Sequence, residues 1–303
     1  MKILIDADGC PVVDICIKSA KRHGIECLIL CDTSHIFERE GAKTVTVSKG
    51  ADSVDFRIVN LLERGDIVVT QDYGLAAMCL ARGASAINQN GLIYTPDNID
   101  ALLNSRYETK KIRMAGGRIK GPQKRRPEQN EEFEKAIENK IDFRTFFEWY
   151  RNQEDYENEQ KIETGNLKYE DNSLQAVRKA ILSMLDGCSN LRVVRKPRLE
   201  MKINKANISL NVSQMSDGEK CTLALFGDLA RRLTLANPNK ENPLLGEGIV
   251  LIDEVELHMH PSWQRKVLFA LRDTFPNIQF IITTHSPIVL SEADENYNLF
   301  FID

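Results

Sequence analysis

No run in the 303-residue chain approaches the ~18 consecutive apolar residues of a membrane-spanning helix, so no membrane contact is expected. The 7 cysteines are odd in number and form no C-x-x-C pair. That argues against a disulfide framework or a zinc site, and for buried thiols in a reducing cytoplasm. The start, MKILIDADGC, carries one lysine and meets acids at once, so it does not read as a secretory leader. Also absent is the loop G-x-x-x-x-G-K-[ST], whose backbone amides wrap the phosphates of a bound nucleotide. The nearest approach, Gly116-Gly117-Arg118-Ile119-Lys120-Gly121-Pro122-Gln123, has the glycine spacing but Pro122 and Gln123 where Lys and Ser/Thr belong.

What is present suffices for two domains of ordinary size, since 42% of the residues are hydrophobic. The net charge of −4 hides a division. Residues 1–126 hold 19 Lys+Arg against 15 Asp+Glu; residues 127–303 hold 21 against 29. Such asymmetry fits two modules, with any nucleic-acid contact in the first. The expected division is residues 1–126, a charged helical junction at 127–165, and residues 166–303.

The first module alternates strands and helices, the mark of a parallel sheet. Strands are expected at Lys2–Ile5, Glu26–Cys31, Thr44–Val47, Ile67–Thr70 and Ala84–Asn88. Pro11 suits the first turn of a helix to His23, with Gly24 after it. A helix capped by Asp52 runs through Arg64, and another covers Leu75–Arg82. Asp6 and Asp72 each end a parallel strand and so share one sheet edge. Asp8 lies on the loop of Asp6, and Asp52 and Asp55 open a helix that could lean over that edge. Carboxylates crowded in this way repel unless a hard cation sits among them. Mg²⁺ or Mn²⁺ so held activates water for phosphodiester cleavage. Asp52 reads equally as an N-cap, Asp55 as a first-turn acid and Asp8 as a loop residue.

DADGCP at 6–11, GADSVDFRIVNLLERGDIVVTQDYGLA at 50–76 and MAGGRIKGP at 114–122 resemble the YaiI/YqxD family, whose fold is PIN-like. The resemblance spans about Met1 to Ile137. It implies acids of a metal-dependent RNA-cleaving site at Asp6, Asp55 and Asp72. Asn104–Arg126, with nine Lys+Arg and one acid, could hold the phosphates of single-stranded RNA. Tyr107 is its one aromatic residue, so base stacking is not supported. A basic tail touching the module's own acidic edge is the alternative.

Glu128–Glu163 carries 12 acids and 5 Lys+Arg, with Phe133, Ile137 and Ile141 at helical spacing. Asp171-Asn172-Ser173 caps a helix striped by Leu174, Val177, Ile181 and Met184. Short meander strands follow at Leu191–Val194, Leu199–Ile203 and Ile208–Leu210. Ile249–Ile252 reads as a strand buried on both faces, as in parallel sheets, ending at Asp253 and Glu254. This is the form of a Walker B strand: Asp253 would hold Mg²⁺ and Glu254 would position the attacking water. Ser216, Asp217, Gly218 and Glu219 open a helix whose free amides could meet a phosphate; an ordinary capped helix is the alternative. His285 follows the apolar strand Ile278–Ile282. Trp263–Phe275 reads as one amphipathic helix. His258-Met259-His260 after Glu256 could suggest a metal, though no third ligand is evident.

In this order the motifs resemble the carboxyl-terminal lobe of ABC-type ATPases, in the RecF/SMC-like group that includes the ATPase of Septu-type antiphage systems. The resemblance covers about Asp142 to Asp303. It implies a signature motif at Ser216–Lys220, a Walker B pair at Asp253 and Glu254, a D-loop at Val255–His260, and a switch histidine at His285. The expected fold class is therefore α/β, a PIN-like parallel-sheet domain followed by a partial ABC-type lobe. ATP is expected only with a partner that carries the missing loop; the partners expected are another ATPase or, as a homodimer, a second copy. The alternatives are a non-catalytic interaction protein and an accidental fusion without autonomous ATPase activity. A lobe lacking half its sheet would leave Val250–Ile252 with an open apolar flank.

Overall fold

A computed structural model describes residues 1–7, 9–33, 38–48, 53–114, 125–257 and 259–300. The chain divides into two units, Met1–Ile141 and Asp142–Asp303. Among the described residues no helix is long and apolar enough to cross a membrane.

The first unit runs β1 (Lys2–Asp6), α1 (Val13–His23), β2 (Glu26–Asp32), β3 (Lys43–Val47), α2 (Ser53–Leu61), β4 (Ile67–Val69), α3 (Tyr73–Ala81), β5 (Ser85–Ile87), β6 (Ile93–Tyr94) and α4 (Pro96–Met114). Its six strands lie in the order β3-β2-β1-β4-β5-β6. All pairs are parallel except β5 with β6. The apolar runs are continuous because both faces of the sheet are covered. On one face Ile3, Ile5, Ile29, Ile67 and Val69 pack with Cys16 and Ala20 of α1. On the other, Leu4, Leu28, Leu30 and Val68 pack with Ile58 of α2, Leu75 of α3 and Ile99 of α4. The order reverses between β1 and β4, the place where open α/β sheets leave a crevice at their carboxyl ends. Helix α1 begins at Val13, two residues later than Pro11 suggested; residues 11 and 12 form a turn. Gly24 ends it in the left-handed conformation, φ 65°, its N–H bonding back to Ala20 and Lys21.

Helix α5 (Glu128–Glu163) takes the charged stretch expected to be helical. Phe133, Ile137 and Ile141 join the first unit's core. Phe146, Phe147 and Tyr150 join the second's.

The second unit continues with α6 (Asn172–Met184), β7 (Cys188–Val194), β8 (Glu200–Lys205), β9 (Ile208–Asn211), α7 (Asp217–Ala236), β10 (Gly248–Ile252), α8 (Pro261–Gln264), α9 (Val267–Thr274), β11 (Ile278–Ile282) and α10 (Pro287–Ser291). Asp171 caps α6 through the N–H of Leu174 at 2.8 Å, as expected. β7, β8 and β9 form the antiparallel meander. Gly227 of α7 lies so close to its neighbours that a Cβ there would stand 2.9 Å from Phe146 and 3.2 Å from Ile181. Two buried acids of α5 anchor ion pairs: Glu157 with Arg178 at 2.9 Å and Lys161 at 2.7 Å, and Glu154 with Arg195 at 2.7 Å.

Two expectations fail here. Among the described residues β10 pairs in parallel with β11 alone, in a two-stranded sheet. It is therefore not buried on both faces. Val250 and Ile252 pack against the core, while Ile249 and Leu251 on the opposite face are 64% and 75% exposed. That apolar face is open. The segment read as one helix from Trp263 to Phe275 is two, α8 and α9, separated at Arg265 and Lys266. Val267, Leu268 and Leu271 are nonetheless buried.

Candidate functional site

The carboxyl ends of β1 and β4 bring two acids under one organising side chain. β1 and β4 are in register through Ile5 and Val69, which places Asp6 beside Thr70. The Thr70 hydroxyl donates to Asp6 Oδ2 at 2.7 Å and accepts the Asp72 N–H at 3.0 Å. Asp72 is the N-cap of α3: its Oδ1 accepts the amides of Gly74 at 2.6 Å and Leu75 at 3.1 Å. Its Oδ2 takes the guanidinium of Arg106, from α4, at 2.7 Å. Burial pushes the Asp72 carboxyl up, but the Arg106 contact and the two amides outweigh it and hold the group below its ordinary value. The Gln71 amide donates to Gly9 O at 3.0 Å, tying down the loop after β1.

Asp6 and Asp72 thus share the sheet edge that the strand pattern indicated. Asp55 lies in the first turn of α2 and is half-buried. Asp8 and Asp52 lie outside the described residues, as does the near-miss loop Gly116–Gln123. Among the described residues no three His, Cys, Asp or Glu side chains gather closely enough to hold a metal ion. Mg²⁺ needs few protein ligands, because it keeps most of its waters and takes one or two carboxylates. Asp6 and Asp72 meet that requirement in kind, and the guanidinium on Asp72 shows this carboxylate already accepting a cation.

In the second unit the ends of β10 and β11 are stitched together. The Thr283 hydroxyl donates to Asp253 Oδ1 and accepts the Glu254 N–H at 2.9 Å. Glu254 itself is left-handed, φ 48°, a conformation that costs a non-glycine residue energy and is held here by that bond and by Val255 N–H to Thr283 O at 3.2 Å. Glu256 accepts the Thr284 hydroxyl at 2.6 Å and the His285 N–H at 2.7 Å. Burial pushes the Glu256 carboxyl up, yet those two bonds help to bring it below its ordinary value. Asp253 and His285 are exposed at this edge. His260 caps α8 through Ser262 N–H at 3.3 Å, and His258 lies outside the described residues.

The start of α7 is a complete capping box. The Ser216 hydroxyl accepts the Glu219 N–H at 3.4 Å, and Glu219 Oε2 accepts the Ser216 N–H at 2.9 Å. The other Glu219 oxygen pairs with Lys205 at 2.5 Å. Burial pushes the Glu219 carboxyl up, but Lys205 and Ser216 overcome it and depress the group. Ser216 and Glu219 therefore have structural employment here. The Glu219 amide that sequence reading left free is satisfied internally. Gly218 is buried, and Asp217 is turned out with Lys220 at 3.2 Å from it.

The roles of Thr70 and Thr283 were missed in the sequence, and Glu256, read there beside His258 and His260 or in a D-loop, instead holds Thr284 and the His285 amide. The signal for the threonines was present: each stands where a parallel strand meets an acid or histidine, as in Thr70-Gln71-Asp72 and Thr283-Thr284-His285. The contact of Arg106 with Asp72, 34 residues away, is of the kind the alternative reading of Asn104–Arg126 named, a basic stretch touching the module's own acidic edge, but nothing in the sequence singled out that pair.

A fold built from two units, each with acids at a parallel-sheet edge, is matched by two family profiles. Residues 4–142 match the YaiI/YqxD family. Residues 86–291 match the family described as "AAA domain, putative AbiEii toxin, Type IV TA system". The chain belongs to both families, the first through its amino-terminal half and the second through an ATPase-like region. A UPF0178 protein of Exiguobacterium sibiricum is 55% identical over 137 residues, 45% of this chain and 94% of that protein. The Retron Ec83 probable ATPase of Escherichia coli is 53% identical over 145 residues, 46% of this chain. The match spans 27% of that ATPase's own length. Among solved structures, the SMC head domain from Thermotoga maritima aligns with a TM-score of 0.30 and 23% identity, over 41% of each chain. The chain is thus a fusion of a UPF0178 domain with an ATPase-like region resembling retron ATPases.

Proposed function

We propose that the first unit is a divalent-metal-dependent phosphodiesterase acting on single-stranded RNA at Asp6 and Asp72. The observation that carries this is the Thr70 bridge, whose hydroxyl bonds the Asp6 carboxylate and the Asp72 backbone N–H at the crevice where the strand order reverses. A divalent ion bound there supplies an activated water and offsets phosphate charge. The chain's own residues fix the ligands. Thr70 orients Asp6, the first turn of α3 orients Asp72, and Gln71 sets the adjoining loop. The test is Mn²⁺-dependent cutting of single-stranded RNA by the full chain. Asp6→Asn and Asp72→Asn should each abolish it; unchanged cutting in both removes the proposal.

For the second unit the reading is a nucleotide-responsive lobe that acts only with a partner. Asp253 and Glu254 would serve magnesium and water, His285 the γ-phosphate, and Ser216–Glu219 the phosphates of a nucleotide held by the other subunit. The open apolar face of β10 supports completion by another polypeptide, since parallel sheets are stable when covered on both faces. That polypeptide would bring the Walker A loop this chain's sequence lacks, as a separate ATPase subunit. Antiphage defence is the setting that the retron relatives support. The chain alone should turn over ATP negligibly; robust turnover abolished by Glu254→Gln would contradict the partner requirement. A purely binding role is the second reading, favoured by the capping box that already occupies Ser216 and Glu219.

A further inference from the structure

The strongest feature left unused by that reading is the ion pair between Arg106 and Asp72. Arg106 Nη1 sits 2.7 Å from Asp72 Oδ2, with the two side chains 56% and 33% exposed. Its guanidinium also lies 6.0 Å from the centroid of the Tyr73 ring, so it is braced on two sides. Arg106 belongs to α4, the helix that leads into the basic stretch 104–126. Elsewhere in that stretch Arg125 is committed to structure, donating to Gln89 O at 2.5 Å and Asn130 Oδ1 at 2.8 Å. Arg106 differs because its partner is one of the two acids at the sheet crevice.

A divalent cation approaching the outer oxygen of Asp72 competes with the guanidinium already seated there. Two cations at that separation repel, and the carboxylate lone pairs facing outward are few. An arginine released there is well suited to a phosphodiester, since its planar fork matches two phosphate oxygens. We propose that Arg106 is an exchangeable latch. It caps Asp72 when metal is absent and moves to a phosphate of the single strand when a divalent ion displaces it. Arg106 is thus a competitor of the metal and a binding residue for RNA, and its two roles have opposite consequences on removal. The inference rests on the metal reading of Asp6 and Asp72.

The test measures Mn²⁺ affinity by the electron paramagnetic resonance of free Mn²⁺, and single-stranded RNA affinity in Ca²⁺. Both use the full chain at low salt. Removing an exposed ionic competitor predicts that Arg106→Ala binds Mn²⁺ at least about threefold more tightly. The same variant should bind RNA more weakly in the presence of Ca²⁺. Arg106→Lys, which keeps charge but loses the fork, should fall between the two for RNA. A merely structural arginine would weaken both affinities or neither. Equal Mn²⁺ binding by wild type and Arg106→Ala, lost in Asp72→Asn, overturns the latch and leaves the metal site standing. Failure of both forms to bind Mn²⁺, or binding unaffected by Asp6→Asn and Asp72→Asn, overturns the metal site and the latch together.

Discussion

Replacing Thr70 by valine removes one hydroxyl and almost no volume, and it should loosen the whole crevice edge. Thr70 is 2% exposed. Its hydroxyl makes a bond of 2.7 Å to the Asp6 carboxylate and one of 3.0 Å from the Asp72 amide. A hydrogen bond to an ionised group contributes about 1.5–3 kcal/mol and one to a neutral partner about 1 kcal/mol. Asp6 is only half-buried, so water recovers part of the loss. A net cost of about 2 kcal/mol follows, equivalent to roughly thirtyfold in an opening equilibrium. Both tryptophans, Trp149 and Trp263, fall in Asp142–Asp303, so their fluorescence reports the second unit. The suitable assay is native-state hydrogen exchange of the β1 and β4 amides, with tryptophan fluorescence as the control. Thr70→Val should exchange those amides roughly thirtyfold faster at unchanged fluorescence midpoint. Thr70→Ser, which keeps the hydroxyl, should show a smaller effect. Exchange within about threefold of wild type in Thr70→Val would refute the bridging role.

Gly227→Ala places a methyl against Phe146 and Ile181, and overpacking of this kind costs about 1–3 kcal/mol, read as a lower urea midpoint by tryptophan fluorescence. Burial pushes the Glu157 carboxyl up, but Lys161, the Asp171 amide and Arg178 hold it below its ordinary 4.5. Its contribution to stability is therefore complete above pH 4.5 and is lost as the pH falls through the depressed folded value; Glu157→Gln should flatten that acid limb. Leu251 is 75% exposed, so Leu251→Lys should change the stability of the chain by less than about 0.5 kcal/mol while reducing its self-association in sedimentation.

Much of the fold was legible because parallel strands buried on two faces leave continuous apolar runs, as in Lys2–Asp6 and Glu26–Asp32. The same rule misled at Gly248–Ile252. Its composition is that of a doubly covered strand, but only β11 pairs with it and one face is bare. Composition records the surroundings a strand is suited to, not those it has in this chain. The acids at strand ends were readable from position alone. Their organisers were not, because Thr70 and Thr283 act through register with a neighbouring strand; a basic stretch on the acidic edge was foreseen as an alternative, but the particular pairing of Arg106 with Asp72 is set by α4 and no local period encodes it. The break between α8 and α9 left no proline or glycine to announce it; Arg265 and Lys266 stand there instead.

The central claim is that Asp6 and Asp72 together form a divalent-cation site. Anomalous diffraction from crystals of the full chain soaked in Mn²⁺ tests it most directly. The account predicts a peak ligated by both carboxylates, with the Arg106 guanidinium withdrawn from Asp72. A map showing no ion at that edge, with Arg106 still seated on Asp72 at saturating Mn²⁺, would contradict it.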